Sequence, residues 1–112
     1  MIAVFVDDLL FRSKIRAVAA RTGATLSFMK AGDHPSLSGA ALAIIDLDGP
    51  DAVPTIASLR AAWPALRTVG FVSHVHADRI REARAAGVGE VMARSAFVSA
   101  LASLLGDGQT HS

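Results

Sequence analysis

The sequence predicts an α/β domain, a doubly wound parallel sheet of five strands in the order 2-1-3-4-5. Three observations predict it. Residues 2–6, 41–45 and 69–72 are apolar runs rich in Val, Ile, Phe and Ala, with no polar alternation, the pattern of strands buried on both faces. Segments with apolar residues at helical spacing separate them, and strands alternating with helices demand parallel pairing through right-handed crossovers. Each apolar run also ends in a chemically loaded residue: Asp7 and Asp8, then Asp46, then Ser73. In a parallel sheet all strand C-termini share one rim, so these residues converge.

The elements follow in order. Residues 2–7 form the first strand. Residues 11–22 form a helix, because Phe11, Ile15, Val18, Ala19 and Thr22 fall on one face, and Gly23 stops it. Residues 25–29 alternate and read as a strand nearer an edge. Residues 30–40 are turn-forming, with room for only one or two helical turns, so the second helix is shortened or absent. Residues 41–46 are the third strand. Asp51 is placed to cap the next helix, which runs to about Ala62 with Pro54 in its first turn and Pro64 beyond it. Residues 68–73 are the fourth strand. Residues 76–86 form a helix whose single large apolar residue is Ile80, hence a mostly exposed one, and Gly87 ends it. Residues 89–94 are the last strand, with Arg94 at its end. Residues 96–105 are a helix with Phe97, Leu101, Leu104 and Leu105 on one stripe. The domain is expected over 1–106, followed by a disordered tail at 107–112.

Composition narrows the function. The chain has 112 residues, enough for one domain with a core. A net charge of +1 is too weak a signal for nucleic acid. The absence of cysteine excludes disulfides and thiolate zinc sites. No apolar run reaches membrane-spanning length and no signal peptide is visible, so a cytoplasmic protein is expected, with no membrane partner.

The order 2-1-3-4-5 makes the first and third strands neighbours and puts the functional crevice at their C-terminal ends. Asp7, Asp8 and Asp46 fall there. Clustered carboxylates repel unless a cation sits among them. Hard oxygens suit Mg²⁺, which takes one or two carboxylates and often a phosphate. An Asp carboxylate can also accept a phosphoryl group. Ser73 can supply a hydroxyl and Arg94 a cation to the phosphoryl oxygens.

On these residues the chain resembles the CheY-like receiver domain of two-component response regulators, a flavodoxin-like fold, over residues 2–105. The matching pieces are Val6-Asp7-Asp8, Ile45-Asp46-Leu47-Asp48, Phe71-Val72-Ser73, the stretch 84–91, and Phe97. The resemblance implies Asp46 as phosphoacceptor and Asp7 and Asp8 as the metal-binding pair, with Asp8 the more direct ligand. It implies the Asp48 carbonyl as a further ligand, Ser73 as the hydroxyl at the phosphoryl group and Mg²⁺ as the cofactor. It also implies a sensor histidine kinase or phosphotransfer protein as donor, and a downstream protein as target. The chain departs from the family in its short segment between the second and third strands, in the loop after Asp46, which has only Gly49-Pro50 where the family has Met/Leu-Pro-Gly, and at four single residues. Arg94 stands for the usual Lys, and Ser95 for the usual Pro. His74 stands where a small residue is usual, and Met92 at the aromatic switch position.

The expected function is a stand-alone receiver in a phosphorelay, not an enzyme, with no output domain after its last helix. The alternative is a degenerate pseudo-receiver that binds proteins without phosphorylation. A metal-dependent phosphatase is the third reading, kept open by Asp48 two residues after Asp46. Single residues outside the rim are read more plainly. Arg79, Arg81 and Arg84 are a solvated helix face or a contact for an acidic partner. Trp63 is packing. His74 and His76 are read as exposed loop residues over an alternating pair that could touch a metal, and His34 and His111 sit in loop and tail.

Overall fold

The computed structural model describes residues 1–30, 39–73 and 77–108, the last two by their backbone alone. The elements are β1 (Ile2–Phe5), α1 (Leu9–Thr22), β2 (Leu26–Phe28), β3 (Leu42–Asp46), α2 (Ala52–Ala62), β4 (Arg67–Val72), α3 (Ala77–Ala86), β5 (Glu90–Ala93) and α4 (Arg94–Gly108). All strand pairs are parallel, and the sheet order is β2-β1-β3-β4-β5, as predicted.

Strand alternation sorts the core into two layers. Ile2, Val4, Leu42, Ile44, Val69 and Phe71 face α1 and α4, where they meet Phe11, Ile15, Phe97, Leu101, Leu104 and Leu105. Ala3, Ala43 and Ile45 face the opposite layer, with Ile56, Leu59 and Ala83 of α2 and α3. The first layer centres on three rings: Phe71 stacks on Phe97 at 4.7 Å, and Phe11 lies 4.8 Å from Phe71. The second layer has no buried ring and mixes alanines with aliphatic side chains. At its sheet surface Gly70 leaves room for Leu47, which is fully buried.

Local chemistry sets the helix ends. Gly23 adopts the left-handed conformation, φ 78°, and its N–H returns to the carbonyl of Ala19. At the other end of α1, Asp8 accepts from the Phe11 N–H and starts the helix at Leu9, two residues earlier than periodicity suggested. The reason is that a cap acts from outside the apolar stripe.

Three further boundaries differ. Asp51 occupies the N-cap position of α2, but its side chain makes no capping bond. β5 stops at Ala93, so Arg94 opens α4 instead of ending a strand. At the other end α4 runs through Gly108, past the expected helix end at 105, because Gly106 is not in a positive-φ conformation that would stop it. The described residues contain four helices, which match the four expected besides the shortened or absent one. Most of the segment 30–40, where a shortened second helix was expected, lies outside the described residues. So do His34, His74, His76, the tail from residue 109, and with it His111.

Candidate functional site

β1 and β3 are adjacent, with Phe5 beside Ile45, and β3 is flanked on its other side by β4, with Asp46 beside Phe71. The loop that follows β1 therefore delivers Asp7 and Asp8 next to Asp46, and the end of β4 delivers Ser73 opposite. The Leu47 N–H continues the ladder to the Phe71 carbonyl at 2.9 Å, which fixes the turn carrying Asp48.

Asp46 is half-buried at the end of the central strand. Its Oδ1 accepts from the Asp48 N–H at 2.9 Å, the only hydrogen bond its carboxylate makes among the described residues. Desolvation raises its pKa above the ordinary carboxylate value, against the lowering effect of that N–H. The charges of Asp48 and Asp8 add to the rise, and that of Arg94 opposes it. Asp48 turns its own carboxylate to β4, where Oδ2 accepts from the Ser73 N–H at 2.8 Å. Asp48 thus ties the ends of β3 and β4 together, a use of the side chain that the sequence reading did not foresee.

Arg94 holds the opposite side of the rim. Its Nη1 donates to Ser73 Oγ at 3.1 Å, and its Nη2 lies 3.5 Å from Asp8 Oδ2. Its guanidinium carbon sits 4.2 Å from the centre of the Phe11 ring. Phe11 is 4% exposed and wedged against Phe71 and Phe97, so the ring is a fixed platform for the cation. The pKa of Asp8 is lowered, above all by the Phe11 N–H; desolvation opposes this, and Arg94 and the Leu10 N–H add to the lowering.

The four expected metal ligands therefore divide. Asp7, Asp46 and Asp48 line an open cleft of about 640 Å³ together with Phe5, Met29 and Thr55. Asp8 does not line that cleft; its Oδ1 caps α1 and its Oδ2 faces Arg94. No group of three Asp, Glu or His side chains able to hold a metal ion occurs among the described residues. Mg²⁺ needs only two carboxylates when a phosphate and waters complete its shell. In the set that the resemblance implies, Asp8 is the more direct ligand, and both of its oxygens already have partners. As arranged, the set does not fit a resident divalent ion.

One contributor was missed altogether. Arg79 of α3, read as part of a solvated face, donates from Nη1 to the carbonyls of Leu47 at 2.9 Å and Gly49 at 3.3 Å. It clamps both sides of Asp48. Arg81 does behave as a surface residue, paired with Asp78 at 2.7 Å on an exposed face.

Structures similar to this chain decide the fold. A response regulator from Hahella chejuensis aligns with a TM-score of 0.79 at 22% identity, covering 97% of this chain and 94% of its own. A CheY-like response regulator receiver domain from Methanospirillum hungatei JF-1 aligns with a TM-score of 0.74 at 13% identity, covering 96% and 94%. The fold is that of a CheY-like receiver domain. The phosphorylated cyanobacterial phytochrome response regulator RcpA is a further neighbour, with a TM-score of 0.74 at 16% identity, covering 94% of this chain and 87% of its own. No family model and no curated protein matches the sequence.

Set on the receiver fold, the departures take physical form. Met92 pairs with Phe71 across β4 and β5 and packs, half-buried, against the aromatic layer. The position that carries an aromatic switch in the resembled family is here a flexible aliphatic thioether. Ser95 is exposed in the first turn of α4. No helix among the described residues is long and apolar enough to cross a membrane.

Proposed function

We propose that this chain is a receiver module that accepts a phosphoryl group on Asp46 and signals by binding another protein. The observation that carries this reading is the state of Asp46. It stands at the end of the central strand in the topological crevice, with one oxygen oriented by the Asp48 N–H and with Ser73 and Arg94 beside it. In the transfer, an Asp46 carboxylate oxygen attacks the phosphorus of a phosphohistidine on a sensor kinase or phosphotransfer protein. The P–N bond breaks, and the departing imidazole nitrogen keeps the electron pair and takes up a proton. The Ser73 hydroxyl and the Arg94 fork are hydrogen-bond donors for the phosphoryl oxygens.

The module itself is a phosphoacceptor and not a turnover enzyme on this reading. Its output is a binding event on the face formed by α3, β5 and α4, since Arg94 joins the site directly to the start of α4. Incubation with acetyl phosphate, read by intact mass, tests the proposal. A single phosphoryl addition that disappears in Asp46→Asn is expected; an unchanged mass, or labelling that survives in Asp46→Asn, sinks it.

A second reading, a pseudo-receiver that binds its partner without phosphorylation, is favoured by one observation: the Arg94 contacts to Asp8 and Ser73 already satisfy the rim. Partner affinity that ignores beryllofluoride, a phosphoryl mimic, supports it.

A further inference from the structure

We infer that Arg94 is the resident cation on the Asp8 side of the acidic rim and opposes a divalent ion there, so that Asp46 accepts a phosphoryl group without added metal. The inference rests on the reading of Asp46 as the acceptor, and its test separates the two.

Three contacts define where the guanidinium sits. Nη1 donates to Ser73 Oγ at 3.1 Å, Nη2 faces Asp8 Oδ2 at 3.5 Å, and the planar group lies over the Phe11 ring at 4.2 Å. The ring is buried, and the backbone of Arg94 belongs to the first turn of α4. The side chain is therefore anchored at its base and supported along one face. Its planar fork directs several N–H donors to oxygen acceptors, which a Lys ammonium at the same position would not do in one plane. Arg94 also acts electrostatically on Asp46 itself, so one cation serves both acids.

The second half of the argument is Asp8. Its Oδ1 accepts from the Phe11 N–H at 3.1 Å and starts α1. To ligate a metal through Oδ2, Asp8 must give up Arg94. The ion would then stand a few ångströms from a fixed positive charge. Repulsion between a dication and a unit charge at about 5 Å costs roughly tenfold in affinity even at the dielectric of water. A phosphoryl dianion meets no such obstacle. It meets a cation with donors to spare and the Ser73 hydroxyl. With acetyl phosphate, an Asp46 oxygen forms the new bond to phosphorus, the P–O bond to the acetyl group breaks, and acetate leaves with the electron pair.

The test titrates Mn²⁺ into the full chain and follows loss of the free-ion signal by electron paramagnetic resonance. Wild type, Arg94→Ala, Arg94→Gln and the double variant Arg94→Ala/Asp8→Asn are compared, with circular dichroism confirming that each is folded. Arg94→Ala and Arg94→Gln are expected to bind Mn²⁺ at least about tenfold more tightly than wild type. The gain is expected to vanish in the double variant. Wild-type binding as tight as that of Arg94→Ala overturns the inference, as does a gain that survives Asp8→Asn. Labelling by acetyl phosphate is then run in EDTA and in Mg²⁺. Equal labelling is expected. Labelling that requires Mg²⁺ overturns the inference and leaves Asp46 standing as the acceptor. Absence of labelling in both overturns the acceptor reading and the metal-free transfer together.

Discussion

Arg79 on α3 donates from Nη1 to the carbonyl oxygen of Leu47, 32 residues earlier, at 2.9 Å. The same nitrogen reaches the carbonyl of Gly49, so one cation holds the backbone on either side of Asp48. Asp48 in turn supplies the N–H that orients Asp46 and the carboxylate that holds Ser73. The placement of Asp46 and Ser73 therefore depends on a side chain of α3 acting through the backbone around Asp48.

Arg79→Ala is expected to destabilise the domain by about 1.5 kcal/mol, the low end for a hydrogen bond to a charged donor because the contact is only partly buried. A clearer effect is local. The Asp48 and Gly49 amides, which bond to Asp46, are expected to exchange hydrogen faster while those of β1 do not change. Exchange measured by NMR checks this. Unchanged protection at Asp48 and Gly49 would show that the loop holds itself.

Gly70→Ala is expected to destabilise by about 1–3 kcal/mol, as an overpacking change. A Cβ there would stand 2.7–2.8 Å from three atoms of the Leu47 side chain, which is fully buried and cannot swing into solvent. Leu47→Ala alone is expected to cost about 2–5 kcal/mol through the cavity it leaves. Combined, the two changes are expected to cost less than their sum, because the new methyl enters the space that Leu47 vacates. Urea denaturation of the four proteins measures the coupling, and strict additivity would refute the contact.

Much of this fold was legible in the sequence because buried parallel strands carry an unambiguous signal. Residues 2–5 and 42–45 are apolar at every position, and no helix among the described residues is. The strand order followed from topology, and the convergence of Asp7, Asp8, Asp46 and Ser73 followed from the order. What was not legible depends on tertiary placement. Arg79, Arg81 and Arg84 are alike in sequence, and only the packing of α3 beside α2 turns Arg79 to the Leu47 carbonyl. Nor does the sequence mark the change from β5 to α4 at Arg94, since Ala93 and Ser95 carry no strong stop or start. The division of the acids between two sides of the rim rests on one capping bond, which spacing alone does not reveal.

Phe71→Ala is expected to cost about 3–5 kcal/mol, the range for deleting a buried ring. Phe71 is 1% exposed and touches both Phe11 and Phe97. Its loss is also expected to loosen the Phe11 platform under Arg94, so Mn²⁺ binding should rise in a variant that lacks no rim residue. Phe71→Leu, which keeps most of the volume, serves as the comparison if the Ala variant does not fold. A change in stability without any change in Mn²⁺ binding would separate the ring cluster from the cation.

Two rim acids should give the stability of this protein opposite pH dependences. Burial raises the pKa of Asp46, so the folded state holds this proton more tightly than the unfolded chain does. Stability therefore falls as pH rises from the unfolded value, 3.8, through the higher folded value. Asp8 has a lowered pKa, so its contribution is present above 3.8 and is lost as pH falls through the lower folded value. The two windows lie on opposite sides of 3.8. Asp46→Asn keeps an oxygen to accept from the Asp48 N–H but removes the charge that burial disfavours. It is expected to be more stable than wild type near neutral pH, with the difference closing as pH falls below 3.8. Urea denaturation of both proteins at about pH 7 and about pH 3.5 makes the comparison. If Asp46→Asn is the less stable protein at both pH values by the same amount, the Asp46 carboxylate holds structure through a contact that its charge does not explain.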